Sequence, residues 1–494
     1  MNHIIHGFAF AAILGITGSV AQAEVVTVEG TIKAVDAKKR TITVEADGEE
    51  QILDVSRKAK VNVKGTTAKL DSLKPGQKVK LSYHDDLEIV LKIEVMETGR
   101  PSAFGGDVVG VHDPCVIKDG NTFVMFSTGG LLPMRRSHDL MLWKEAGDTL
   151  PTLPAWAKRM VPKASDCWAP DISYFDDEYH LYYSVSSFGS NHSCIGLATN
   201  STLDPDSSDY NWTDQGMVVR SRSGQDKFNA IDPNVVLDEN GKPWLSFGSF
   251  WSGIKLVQLD VRTGKPSGRP IDIAGRNGGA IEAPFVVRRR RWYYLFVSFD
   301  MCCKGKDSNY KVMVGRSRKV TGPYTDFWGK RMTEGGGTLV LAGYDNVRGP
   351  GHNAVISEGG KDFFMHHHYD ANFNGRVTLQ IRPLIWGKDG WPLVGEPLEK
   401  VPGDQSIQRD QVVGSWKHSA DFGRTATIRL EQNGSIDGGA PSWKLGTKNR
   451  LTLRWPRSNA PNGVWVDHCF VSADAMWYVG RNQNGGVIRG LKLQ

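Results

Sequence analysis

The sequence predicts an all-β protein, with a five-bladed β-propeller flanked by a small N-terminal β-barrel and a C-terminal β-barrel. Three observations predict it. Short runs with strand alternation, punctuated by Gly, Pro and Asn-Gly turns, occupy most of the 494 residues. Between about residues 104 and 400 the chain turns aromatic-rich, and one pattern returns five times. The stretches on either side have rhythms of their own. The predicted division is therefore 24–100, 101–403 and 404–494, after a leader of residues 1–23.

The leader comes first. An apolar run from Gly7 to Val20 precedes Ala21-Gln22-Ala23, the pattern of a secretory signal cut after Ala23, although His3 and His6 replace the usual Lys or Arg. Export is expected, to the periplasm or the medium. No other segment approaches the ~20 apolar residues of a membrane span. Residues 24 to about 98 then alternate as short strands, among them Val25–Gly30, Arg40–Val44 and Val79–Tyr83. With no Trp or Phe and a single Tyr, Tyr83, this segment offers no surface for stacking sugars and reads as a spacer or anchor.

In the repeat, a polar anchor is followed by two or three apolar residues, a turn and an aromatic strand. Examples are His112-Asp113-Pro114-Cys115-Val116-Ile117 before Thr122–Phe126, and Glu282-Ala283-Pro284-Phe285-Val286-Val287 before Trp292–Phe296. The markers Asp113, Asp171, Asp232, Glu282 and His352 step by 58, 61, 50 and 70 residues. All-β units of that size, each with room for four strands, make a propeller. The first strand of each blade lines the central channel, so anchors far apart in sequence meet on one axis. Four of the five are carboxylic acids, and Asp113, Asp232 and Glu282 are expected in the same register; Asp171 is offset and reads as structural. The last segment, with Leu451–Trp455 and Met476–Gly480, reads as antiparallel strands of a barrel.

Several features exclude other functions. The formal charge of +6 is small for this length and points to no anionic partner. The run Arg288–Arg291 falls where a hairpin turn belongs, which favours a solvated tip over a nucleic-acid site. Six cysteines are too few to be a disulfide framework, and adjacent Cys302 and Cys303 pair only with strain. His366-His367-His368 would be split between two strand faces, so a structural role is expected rather than a metal cluster.

The ordered set His112-Asp113-Pro114, Trp168-Ala169-Pro170-Asp171, Ile231-Asp232-Pro233, Ile281-Glu282-Ala283-Pro284 and Gly349-Pro350-Gly351-His352-Asn353 resembles the signature of glycoside hydrolase family 43. Val297–Cys303 looks most like its extracellular endo-1,5-α-L-arabinanases. The resemblance implies an inverting hydrolase acting on arabinan, with Asp113 as general base, Glu282 as general acid and Asp232 beside the acid to raise its pKa. It also implies a central cation, usually calcium, at His352. His112, Trp168, Trp251 and Arg382 are the expected substrate contacts. No organic cofactor, nucleic acid or membrane span is expected, and the enzyme should act as a monomer. Exo-acting arabinofuranosidases and β-xylosidases share the triad, and a sugar-binding propeller without activity is the reading from another class.

Overall fold

The structure is a computed structural model that describes residues 25–46, 49–63, 66–84, 89–96, 104–399, 403 and 405–493. The leader lies outside them. No described helix is long and apolar enough to cross a membrane. The chain divides into two compact units, one ending at Arg100 and the other starting at Pro101.

In the first unit, Thr41–Ala46, Val25–Asp36, Lys78–His84, Ile89–Met96 and Glu49–Val63 pair in that order, and Glu49–Val63 returns to pair with Thr41–Ala46. Every long strand thereby has two neighbours, which removes the exposed edges that an isolated small sheet would carry. Alternate residues point inward, and Ile32, Ile42, Val44, Val79, Leu81, Val90 and Ile93 form a dry core.

The second unit opens with five sheets around an axis. Four have four strands, and the first carries a fifth, short strand, Gly105–Gly106, on its outer edge. The innermost strands are Cys115–Asp119, Trp168–Phe175, Asn234–Leu237, Ile281–Arg289 and Val347–Glu358. Arg290 and Arg291 form the tip of the hairpin between Ile281–Arg289 and Trp292–Phe299, where a solvated turn was expected. Apolar cores lie between blades, not within them. Leu181 and Val124 pack in one, Phe247 and Ile195 in the next, and the series continues until Met125 of blade 1 meets Met365 of blade 5. Each fully buried aliphatic or aromatic side chain stabilises by about 1.5–3 kcal/mol, and the ring only collects that energy when closed.

A second ring of contacts runs inside the first. Every blade places one residue with left-handed backbone at the channel: Asp113 (φ 48°), Ala169 (φ 42°), Asp232 (φ 59°), Ala283 (φ 54°) and His352 (φ 48°). In each case its amide donates to a side chain of the preceding blade. Ala169 donates to Thr128 Oγ1 at 2.6 Å, Asp232 to Ser184 Oγ at 2.9 Å and Ala283 to Asp232 Oδ2 at 2.9 Å. His352 donates to Ser298 Oγ at 2.9 Å, and Asp113 closes the circle on His367 Nδ1 of blade 5 at 3.1 Å. Left-handed non-glycine backbone costs about 1–3 kcal/mol at each position, and these bonds hold it in place.

This register corrects one expectation. The left-handed residue precedes Pro114, Pro170, Pro233 and Pro284, so Asp113 and Asp232 correspond to Ala283, and Glu282 stands one residue earlier. Only two of the three acids share a register. Glu282 still lines the cavity, as do His112, Trp168 and Ile231 at the same position of blades 1 to 3.

The chain ends in a seven-stranded sheet from Gly414–Ala420 to Val487–Lys492, whose edges meet through bridges at Ser435 and Ile436 to make a barrel. Trp416, Trp443, Leu453 and Tyr478 fill it. The barrel docks on the propeller through Val479, Val487 and Leu393, and through Arg489, which reaches Glu396 at 2.7 Å.

Candidate active site

Asp113, Asp232, Glu282, His112, His352, Trp168 and Trp251 all line one cavity of about 660 Å³ at the mouth of the channel. The repeat brings them together from five blades. Arg382 does not join them. It is 1 % exposed and away from the cavity, donating to His366 Nε2, Gln380 Oε1, Tyr344 Oη and the Gly395 carbonyl. Strand alternation turned it to the outer side of blade 5, towards the barrel, which corrects the expectation that it contacts substrate.

Asp113 is held by two histidines and a threonine. His112 Nδ1 lies 2.7 Å from Oδ2, His352 Nδ1 lies 3.0 Å from Oδ1, and Thr128 Oγ1 donates to Oδ2 at 2.6 Å. Burial alone would raise its pKa, but the two imidazoles outweigh burial and hold the carboxyl well below the usual range. His112 is pushed up to about 10, since Asp113 overcomes the burial that would lower it. His112 Nε2 is taken by Tyr369 Oη at 2.8 Å. With both nitrogens engaged, His112 positions Asp113 while walling the cavity.

Glu282 sits in the opposite environment. Burial pushes its pKa up, against the donors Tyr310 Oη on Oε1 and Ser249 Oγ on Oε2 at 2.8 Å. Tyr310 lies flat over Gly351, where a Cβ would sit 2.0 Å from its ring, so the Pro-Gly-His run needs glycine to admit the tyrosine that holds the acid. Asp232 is raised to about 8, first by burial and then by the neighbouring charges of Glu282 and Asp113. Asp171 is also raised, to about 7, by burial, but both its oxygens are spent on Asn234 Nδ2 and the Val235 amide. It ties blade 2 to blade 3.

The site also holds residues that the repeat pattern did not single out. Thr128, Ser249, Tyr310, Tyr369 and His367 are the partners just described. His367 is buried with its pKa lowered to about 3 by burial, so the neutral ring accepts the Asp113 amide. The expected face-splitting of the histidine triplet does occur, and it sends His366 to Arg382 and His367 to the channel. Phe188, 82 % exposed, joins Trp168 and Trp251 around the mouth, giving three aromatic faces on which a sugar chain can stack. Cys302 and Cys303 complete the wall. Cys302 Sγ lies 3.6 Å from Glu282 Oε1, and Cys303 Sγ lies 3.9 Å from His112 Nε2.

A carboxyl held down by two imidazoles and a second pushed up by burial, on one cavity walled by aromatic rings, suit acid–base cleavage of a glycosidic bond. The comparisons with known proteins agree. The family model for glycosyl hydrolases family 43 matches residues 109–392. The extracellular exo-α-(1→5)-L-arabinofuranosidase of Cellvibrio japonicus is 41% identical over 60% of this chain and 89% of its own. The extracellular endo-α-(1→5)-L-arabinanase 1 of Bacillus subtilis is 45% identical over 57% of this chain and 87% of its own. The crystal structure of an arabinanase from Thermotoga petrophila is 24% identical, with a TM-score of 0.69 over 80% of this chain and all of its own, which supports the fold beyond the five blades.

Proposed function

The chain belongs to glycoside hydrolase family 43, and on that premise we propose that it cleaves internal α-1,5-L-arabinofuranosidic bonds of arabinan by inversion. One observation carries the reading: Asp113 and Glu282 share a cavity, and their surroundings push their pKa values in opposite directions. Asp113, ionised, takes a proton from water on one face of the arabinofuranose as that water attacks the anomeric carbon. Glu282, protonated, gives its proton to the departing oxygen on the other face. Trp168, Trp251 and Phe188 stack the sugars on either side, and His112 keeps the base in place. One chain supplies all the anchors, which supports a monomer as the working form. The signal-like leader and the extracellular relatives support export.

The test is stereochemical. Proton NMR on arabinan in the first minutes of reaction should show the new reducing end as the β-anomer, before mutarotation. Glu282→Gln should lose about 10²–10⁴-fold of the rate on polymer, and much less on an aryl glycoside whose leaving group needs no proton. Release of the α-anomer first would sink the inverting assignment. Oligosaccharides of mixed length among the early products support internal cleavage; arabinose alone would make the enzyme exo-acting.

His352 is the proposed holder of a hydrated cation such as calcium. It is buried among Asp113, Asp171 and Asp232, and the amide of the adjacent Asn353 is buried with neither end hydrogen-bonded, an opening that ordered water suits. Calcium takes six to eight oxygens, and these residues leave most of that shell to water. The ion would supply positive charge on the channel axis. A chelator should lower the melting temperature and calcium should restore it, whereas His352→Ala should respond weakly. A wild type that ignores the chelator removes the ion.

A further inference from the structure

We propose that the adjacent thiols of Cys302 and Cys303 form an oxidation site inside the catalytic cavity, where a peroxide closes them into a reversible disulfide that slows hydrolysis. The proposal rests on the reading of Glu282 as the acid, because the pair is wired to that residue. Cys302 Sγ faces Glu282 Oε1 at 3.6 Å as an S–H donor, and Cys303 Sγ faces the imidazole of His112 at 3.9 Å. Both thiols line the cavity. The other four cysteines, at 115, 167, 194 and 469, are buried. Cys303 is exposed and Cys302 partly so, and a solute small enough to enter the cavity reaches both.

The backbone is shaped for the pair. Cys303 has φ 63°, a left-handed conformation that a non-glycine residue keeps only when its surroundings enforce it. They do so here. The Cys303 amide donates to Tyr369 Oη at 2.8 Å, the Lys304 amide to Ser308 Oγ at 2.9 Å, and the Met301 amide to Asn309 Oδ1 at 2.9 Å. The turn is fixed on both sides of the cysteines, and one of its clamps, Tyr369, also binds His112.

The chemistry balances with one hydrogen peroxide. Cys303 sulfur attacks one peroxide oxygen, the O–O bond breaks, and water leaves with the thiol proton, giving a sulfenic acid on Cys303. Cys302 sulfur then displaces the sulfenic oxygen, which departs as a second water with the Cys302 proton. The two sulfurs have lost two electrons and the peroxide has gained them. Residues adjacent in sequence sit closer than an unstrained disulfide prefers, and strained, exposed disulfides are readily reduced. The link should therefore open again with a mild dithiol. Closing it removes the S–H that Cys302 directs at Glu282 and redraws the cavity wall beside His112.

Peptide mass mapping of the intact enzyme after brief hydrogen peroxide treatment reads the thiol chemistry without reference to activity. The expected result is loss of two hydrogens from the peptide holding Cys302 and Cys303, slowed by arabino-oligosaccharide and reversed by dithiothreitol. Activity should fall about tenfold in parallel, the scale of one hydrogen bond to an ionisable group, and return with the dithiol. Cys302→Ser and Cys303→Ala should each resist this reversible loss. A peptide that keeps both thiols at a peroxide dose that oxidises surface methionines would overturn the proposal. So would a disulfide that forms without changing the rate. Failure of the catalytic reading shows separately, as hydrolysis that survives Glu282→Gln.

Discussion

At the scale of single residues, the site works by giving chemically equal groups unequal surroundings. Asp113, Asp232 and Glu282 are all buried carboxyls, yet only Asp113 has two imidazoles against it, and only it is pulled down. Burial pushes up the other two, and the charge of Glu282 raises Asp232 further. Asp232→Asn tests which member of the pair carries charge. Raised to about 8, Asp232 stays protonated near neutrality, and the amide mimics that neutral form. Its oxygen still accepts the Ala283 N–H. The burial that raises Glu282 remains, so the basic limb of the kcat/KM profile should stay where it is. A limb that moves to lower pH would mean that Asp232 is ionised in the working enzyme and holds the acid up. The residue types of this trio were legible in the sequence, since each opens a repeat within two residues of a proline. Tyr310, Ser249 and Thr128 were not, because a lone hydroxyl in a strand-rich chain carries no pattern until the fold puts a carboxylate beside it.

At the scale of elements, the blade is the unit that the sequence reports and the joint between blades is what it conceals. Alternation and the aromatic second strands located all five blades, and the hairpin tip at Arg290-Arg291 followed from the same rhythm. The error was one of register. Glu282 was aligned with Asp113 by charge, whereas the backbone aligns Ala283 with it through the proline that follows. Both positions line the cavity, and a left-handed turn at a non-glycine residue leaves little trace in composition. Arg382 was misplaced for a related reason: strand alternation leaves two faces open until the neighbouring barrel decides between them. The joints make a firm prediction. Ser298 is fully buried, and its hydroxyl accepts the amide of His352 at the strained position. Ser298→Ala should cost about 1–3 kcal/mol, the penalty for orphaning a buried donor, read from the denaturation midpoint of the propeller. Ser184→Ala should cost a similar amount, because the Asp232 amide meets the same fate. A loss below ~0.5 kcal/mol in both would mean that water replaces the hydroxyls and that the inner ring does little to hold the blades.

At the scale of the whole molecule, the sequence located the C-terminal barrel but gave no sign of what fastens it to the propeller. The barrel showed in the alternation of its strands, and Trp416 and Trp443 lie in its interior. The joint is an apolar patch around Leu393 and Val479 together with a charge cluster centred on Glu396. Glu396 accepts from Arg489 of the barrel at 2.7 Å and from Tyr344 Oη at 2.7 Å, and Arg382 stands 3.9 Å away. Both arginines are nearly inaccessible to solvent, and Arg489 also lies over the Tyr344 ring at 3.8 Å. One carboxylate thus offsets two buried guanidiniums, which have no other acidic partner among the described ion pairs. Removing that carboxylate is costlier than its share of the attraction, since two charges lose their compensation at once; breaking a buried ion pair from one side typically costs about 3–5 kcal/mol. Glu396→Gln should therefore separate the melting of barrel and propeller into two calorimetric transitions. Arg489→Met should be milder, because Glu396 keeps Arg382 and Tyr344 nearby and methionine keeps the packing. The double variant should come out less destabilised than the sum of the two, because the charge that Glu396→Gln strands on Arg489 is gone. Strict additivity, or a single unchanged transition in Glu396→Gln, would assign the docking to the apolar patch alone.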